Sequence, residues 1–388
     1  MIPSGSALAR PTRGPSRRQN DMGIGIPRDK IGVIFDPFVQ VYRKLTNTRD
    51  GSCGGENRVT TPVIFHCDPE TIELHHTVTL RDLDGCLTIA RRADGRRPRF
   101  VWRGPATDPV FSLENCRESV IEHIDVVCET PCTAVFSVRR TKRGAGVLPS
   151  TLHQFRDVRI FGNGRARRGY DYTGAIDENN EHGRWDSCSV YGCADAAWVF
   201  SGQQSKEHLL TQCRAEAVRA AVVASSSFTW VSGTAAVCQI GVVLSRVGDP
   251  VVIEGVGFEA CGRLLVTDGP TTASQPVTLT GVRYEADQLH QDGDCIILRH
   301  AGPLSMTGCR IGGGKQRIPR IALLGIGPQL ATIAGNTFGS FGAHRVCPIR
   351  AQPHANVNVT WGNNAYQRDA LDPRNVESRL LWAEKSYT

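Results

Sequence analysis

The chain has 388 residues, with 45 Lys and Arg against 38 Asp and Glu, a formal charge of +7, 40 glycines and 14 cysteines. That length holds one large domain, or a domain with a tail, and no apolar run approaches the roughly 20 residues that a membrane-spanning helix needs. The basic leader has no continuous apolar stretch behind it and so does not read as a secretory signal, which makes a cytoplasmic place the default and reduced thiols the expectation.

Residues 1–20 hold Pro, Ser, Gly and Arg without periodicity and are expected to be disordered. Residues 21–58 are different. Asp21, Gly23 and Gly25 stand as Asp-x-Gly-x-Gly, and Ile34-Phe35-Asp36-Pro37-Phe38 follows. This stretch resembles the ATP-binding region of sensor histidine kinases, covering its first glycine box and its phenylalanine box. The resemblance implies an adenine contact through Asp21. It is confined to about residues 21–46. The phosphoacceptor His and the Asn-bearing helix of that family have no counterpart here, and GSCGG at 51–55 stands where its second glycine box belongs. Asp21, Gly23 and Gly25 are therefore expected to be vestigial, with neither autophosphorylation nor ATP binding tighter than millimolar. Ile31, Ile34, Phe35 and Phe38 fall at i, i+3, i+4 and i+7, which predicts an amphipathic helix over 28–36 that covers the open end of whatever follows.

From residue 59 the pattern becomes that of strands. Short apolar runs come first: Thr61–Phe65, Thr71–Leu74, Thr77–Leu80, Leu87–Ile89 and Phe100–Gly104. Then a unit of the form apolar-x-x-apolar-x-apolar recurs, as in Phe155-Val158-Ile160, Trp185-Cys188-Val190, Leu210-Cys213-Ala215, Ile253-Val256-Phe258 and Met306-Cys309-Ile311. The step is mostly 25 to 34 residues, with one of 43 that spans a degenerate copy near Phe228-Val231. Alternation within each unit is strand periodicity, and the intervening Gly, Asp and Asn clusters are turns. A sustained period of this size marks a solenoid. Between residues 59 and 365 the expectation is an all-β, right-handed parallel β-helix of roughly ten coils, each holding three short strands. Cys188, Cys213 and Cys309 then belong to one inward column with Val158, Val256 and Val282. Asn336 continues it, with Asn363 as its next member, and each buried amide must find a hydrogen-bond partner. The basic segment 137–150 is expected to be a loop. Residues 366–388 form a tail with a short helix over Val376–Lys385. The stretch 60–365 resembles the pectate-lyase-like superfamily of parallel β-helices.

Candidate chemistry lies in the long turns. Asp177, Glu178, Glu181 and His182, followed by Arg184, put carboxylates on one turn. Such a cluster suits Ca²⁺, which takes six to eight oxygens. The resemblance implies the same, because pectate lyases place Ca²⁺ on substrate carboxylates and use an Arg as base. Glu285, Asp287 and His290 form a second cluster of the kind that serves glycoside hydrolysis. The Asn-Thr-Asp, Asp-Asp, Gly-His-Gly and Arg-x-Lys pattern of polygalacturonases is absent. Cys128-x3-Cys132 and Cys188-x4-Cys193 are the nearest approach to zinc spacing, and no metal is expected there. The sequence leaves three functions open: a β-helix that binds or cleaves a polysaccharide, a scaffold of the same fold, and a kinase remnant. The first predicts a groove lined by aromatic and charged residues on one outer sheet. Nucleic acid is not an expected partner, because the basic stretches lack interleaved aromatics.

Overall fold

A computed structural model describes residues 63–366, apart from 67–70, 82, 84–86, 91–95, 142–148, 174–178, 203, 246–248, 269–275, 287–293, 300–301, 313–319, 326–328, 340–348 and 352–356. The kinase-like stretch, the helix expected over 28–36 and the helix expected over Val376–Lys385 lie outside the described residues, as do Asp21, Gly23 and Gly25. Among the described residues every regular element is a strand, and no helix is long and apolar enough to cross a membrane.

The strands form two parallel sheets, one of 21 strands and one of 11. Most coils give two successive strands to the first sheet and one to the second; in three of them the first two run together as one long strand, His208–Glu216, Phe228–Ala236 and Val251–Cys261. The coil of three short strands expected from the sequence holds for most turns, and eleven strands in the second sheet agree with roughly ten coils. Register is strict. Trp185 pairs with Leu210, Leu210 with Trp230, and Trp230 with Ile253. The step of 43 thus resolves into one coil of 20 residues and one of 23.

The two strands of the first sheet meet at a left-handed bend. Asp157 (φ 51), Ser187 (φ 55) and Gln212 (φ 54) hold it in three successive coils. Later coils use Gly255, Gly281, Gly308 and Gly335, where the lack of a side chain removes the cost of positive φ. After the bend the next residue points inward, which generates the column Ile124, Val158, Cys188, Cys213, Val256, Val282, Cys309, Asn336. All of these are buried.

The thiols in this column make the same two contacts in each coil. Cys188 Sγ donates to the carbonyls of Phe155 and Asp186, and Cys213 Sγ to those of Trp185 and Thr211. Cys309 Sγ donates to those of Leu279 and Thr307. A small, weakly donating side chain suits a site that is apolar on one side and meets two carbonyls on the other. Asn336 continues the column as expected, but its successor is Asn364, not Asn363. Asn363 (φ 52) occupies the bend, so the expected residue was one place early. The basic loop needs a similar correction: Ser137–Arg139 end the strand Cys132–Arg139, and only residues beyond it leave the sheet.

Opposite this column the second sheet turns aromatic rings inward. Phe111, Phe136, Tyr170 and Trp198 stack in consecutive coils at centroid spacings of 5.0, 5.2 and 5.9 Å. Phe155 and Trp185 stack likewise on the first sheet at 5.6 Å. In-register strands lie about 4.8 Å apart, which brings identical positions to ring-stacking distance.

All ten cysteines among the described residues are buried. Burial pushes the Cys213 and Cys309 thiols up from their ordinary range. Cys188, Cys213 and Cys309 are therefore expected to resist a thiol reagent in native buffer and to react fully once the protein is denatured. Rapid native labelling of any of them, located by peptide mapping, contradicts this packing.

Candidate functional site

The outer face of the first sheet carries the residues that alternate with the core. In the strands Arg159–Phe161 and Ser189–Tyr191, Ile160 and Val190 point inward and their neighbours outward. Register then builds two outer columns. One runs Arg99, Asp125, Arg159, Ser189, Arg214, Thr234. The other runs Val101, Val127, Phe161, Tyr191, Glu216, Ala236.

The second column places two aromatic rings side by side at the surface. Phe161 and Tyr191 stack with centroids 5.3 Å apart and an interplanar angle of 13°. Both are half-buried. Arg214 lies over the far side of Tyr191, its guanidinium carbon 5.9 Å from the ring centroid, and Glu216 Oε2 accepts from its Nη2 at 2.6 Å. Around this apolar ridge an open groove of about 410 Å³ is lined by Asp157, Arg159, Phe161, Tyr191, Gln212 and Arg214, among others. It crosses the coils, so its direction is that of the solenoid axis.

At one end of the groove the bends of successive coils stack their polar side chains. His123 and Asp157 occupy equivalent bends, both at positive φ, and His123 Nδ1 lies 2.9 Å from Asp157 Oδ2. Arg97 reaches across to the same carboxylate, and its Nη1 lies 3.5 Å from Asp125 Oδ1. One guanidinium therefore spans two carboxyls of adjacent coils. Their environments differ. Burial pushes Asp125 above the ordinary carboxylate range, against the pull of Arg97 and Arg159. Burial acts in the same direction on Asp157, but hydrogen bonds from Arg97 and His123 outweigh it and hold that carboxyl below the ordinary range. Asp125 Oδ1 is buried and accepts no hydrogen bond.

The residues singled out in the sequence lie elsewhere. Glu181 and His182 sit on a bend against the next coil. His182 Nδ1 is 3.2 Å from Glu207 Oε2, and Lys206 Nζ is 3.9 Å from Glu181 Oε1. Arg184 is exposed at the start of the strand Arg184–Asp186. Asp177 and Glu178 lie outside the described residues, and among those described no group of three or more His, Cys, Asp or Glu side chains is arranged to hold a metal. Glu285 continues the column of Phe161 and Tyr191 four coils beyond Tyr191, where it neighbours the exposed Arg283–Glu259 pair. Asp287 and His290 lie outside the described residues. Cys128 and Cys132 bring their sulfurs to 3.8 Å in the buried corner after the first sheet.

Sequence reasoning looked at turns and missed this face. The signal was present: an aromatic residue follows the last apolar position of two consecutive repeats, Phe161 after Ile160 and Tyr191 after Val190. An aromatic there has no inward role and must stand at the surface.

No protein-family model matches the chain, and no curated protein matches it. Among solved structures it is similar to tailspike protein 3 of bacteriophage CBA120, with 10% identity and a TM-score of 0.35 over 79% of this chain and 55% of that one. The chain thus spans about half the length of the tailspike. It is also similar to the A-module of the mannuronan C-5 epimerase AlgE4 of Azotobacter vinelandii, with 10% identity and a TM-score of 0.35 over 78% of this chain and 90% of that module. Likeness of this degree says nothing about activity.

Proposed function

We propose that the protein binds a polysaccharide along the outer face of the first sheet, with the chain of sugars running parallel to the solenoid axis. The observation that carries this reading is the surface stack of Phe161 and Tyr191 within the groove. A pyranose offers an apolar C–H face and a rim of hydroxyls. The ridge of two rings matches the first. Arg159, Arg214, Gln212, Ser187 and Asp157 supply donors and acceptors for the second. A polymer fits better than a small molecule, because the groove is open and its lining repeats with the coil, about every 4.8 Å. Small-ligand sites are more enclosed.

Tyr191→Ala and Phe161→Ala are each expected to weaken binding of a matching polysaccharide about tenfold, a loss of about 1.4 kcal/mol. The core should be unaffected, since both side chains stand outside it. Affinity electrophoresis of the full chain through gels cast with different polysaccharides measures the effect. Retardation that is unchanged in both variants would place the binding surface elsewhere.

A further inference from the structure

Resting on that reading of the groove, we propose that Asp125 and Asp157 form a proton-transfer pair that hydrolyses a glycosidic bond of the bound polysaccharide. The geometry supports this in three ways. Asp157 lines the groove, and Asp125 is the register partner of Arg159, which lines it too. The two carboxyls come from adjacent coils and share the guanidinium of Arg97, which keeps them close without merging their roles. Both are accessible, with side chains 24% and 33% exposed, so a sugar can reach them.

Their surroundings assign the roles. Asp125 keeps its proton more readily than an ordinary carboxylic acid, because burial disfavours its charge. Asp157 is held as the carboxylate by Arg97 and His123. Two carboxyls pushed apart in this way are the pattern of an acid and a base acting on one bond. In the step, Asp125 gives its proton to the glycosidic oxygen as the bond from that oxygen to the anomeric carbon breaks. Asp157 takes a proton from the water whose oxygen bonds to the same carbon. One ether linkage and one water become two hydroxyls, and solvent returns the proton from Asp157 to Asp125. No co-reactant other than water is needed.

Arg97 and His123 are positioning residues in this scheme. The groups facing Asp157 are Arg97, His123 and Asp125, all from preceding coils. The next coil brings the uncharged Ser187 to the same bend. Replacing His123 by Phe removes one of the two hydrogen bonds that lower Asp157. The acid limb of the pH–rate profile should then move to higher pH, a shift that mere loss of packing would not produce.

The experiment uses the full chain and a panel of neutral and acidic polysaccharides, and measures binding and release of reducing ends separately. The expected result is that a polysaccharide retarded by the protein is also cleaved. Asp125→Asn and Asp157→Asn should each lower cleavage by about a hundredfold or more, the usual share of a general acid or base, and retardation should persist in Asp125→Asn, whose side chain is not part of the groove lining. A polysaccharide that is bound but never cleaved overturns the proton-transfer pair and leaves the binding reading intact. So does cleavage that both Asn variants retain. A panel from which nothing binds overturns both proposals together.

Discussion

Lowering the pH from 7 to 5 is expected to cost about 4 kcal/mol of stability through two histidines alone. His153 and His208 are fully buried, and burial lowers each to a pKa of about 3 from an ordinary 6.5. For His208 the hydrogen bonds give an independent reason. Its Nδ1 accepts from the Gly183 N–H at 3.1 Å, so the proton of the neutral ring sits on Nε2, 3.0 Å from Ser205 Oγ. Ser205 Oγ donates onward to the Tyr172 carbonyl at 2.9 Å. A second ring proton would set one N–H against another. The ring is also enclosed by Phe200, whose centroid is 4.3 Å away, and by Tyr172 and Trp185. Positive charge on His182 or His153 disfavours it further.

His153 is held neutral more simply. Neither ring nitrogen has a hydrogen-bond partner, and the nearby Cys116 backbone only partly opposes the effect of burial. In both cases the folded pKa is depressed. The unfolded chain therefore binds more protons between pH 6.5 and 3. The stability is fully present above 6.5 and is lost as the pH falls below it, at about 1.4 kcal/mol per unit for each histidine. Urea unfolding at pH 7, 6 and 5 reads this directly. His153→Phe supplies the control. It replaces a ring with two orphaned nitrogens by one with none, so it should fold and should halve the slope. A slope that is flat in the parent, or unchanged by His153→Phe, would mean that these rings reach water or a partner.

These two histidines also show what the sequence did and did not make readable. The repeat, the inward column and the buried thiols followed from spacing, because a stacked coil fixes which positions face the core. A histidine at or just before the start of a strand gave no sign of its burial. His153 and His208 occupy the residue just outside the repeat unit, and only the pairing of Gln154 with Arg184 and Arg184 with Leu209 brings them into line with the core. The outer face was hidden for the same reason. Whether Phe161 meets Tyr191, or Arg97 meets Asp157, depends on coils of 20 to 34 residues being brought into register. The acidic turns attracted notice because their charges are adjacent in sequence. The pair Asp125 and Asp157 is adjacent only in space.

Asn336 gives the second large effect. Its amide joins three coils. Nδ2 donates to the carbonyls of Met306 and Ala334, both at 3.1 Å, and to Asn364 Oδ1 at 3.0 Å. Oδ1 accepts from the Cys309 N–H at 2.9 Å. Asn364 repeats the arrangement, accepting from the Asn336 N–H at 2.9 Å and donating to the Ile333 carbonyl at 3.0 Å. The donors of Asn336 meet the same two carbonyl positions that the thiol of Cys309 meets one coil earlier. Cysteine and asparagine are thus alternative solutions to one problem, and only asparagine also offers an acceptor.

This predicts an order among variants. Asn336→Ala strands the buried Cys309 N–H and two carbonyls and opens a cavity. The expected loss is about 4 kcal/mol, at roughly 1–3 kcal/mol for each group left unsatisfied. Asn336→Cys restores a donor to both carbonyls and strands only the Cys309 N–H, for a loss of about 2 kcal/mol. In a solenoid each coil contacts only its neighbours, so the loss is felt locally. Hydrogen exchange in the strands Leu304–Thr307 and Gln329–Ala334 is therefore the measurement, with the strand Phe228–Ala236 as an internal reference. Protection should fall in the order Asn, Cys, Ala in the first two strands and stay constant in the third. Equal loss for Cys and Ala would show that the two carbonyls contribute nothing and that the acceptor alone holds the coils together.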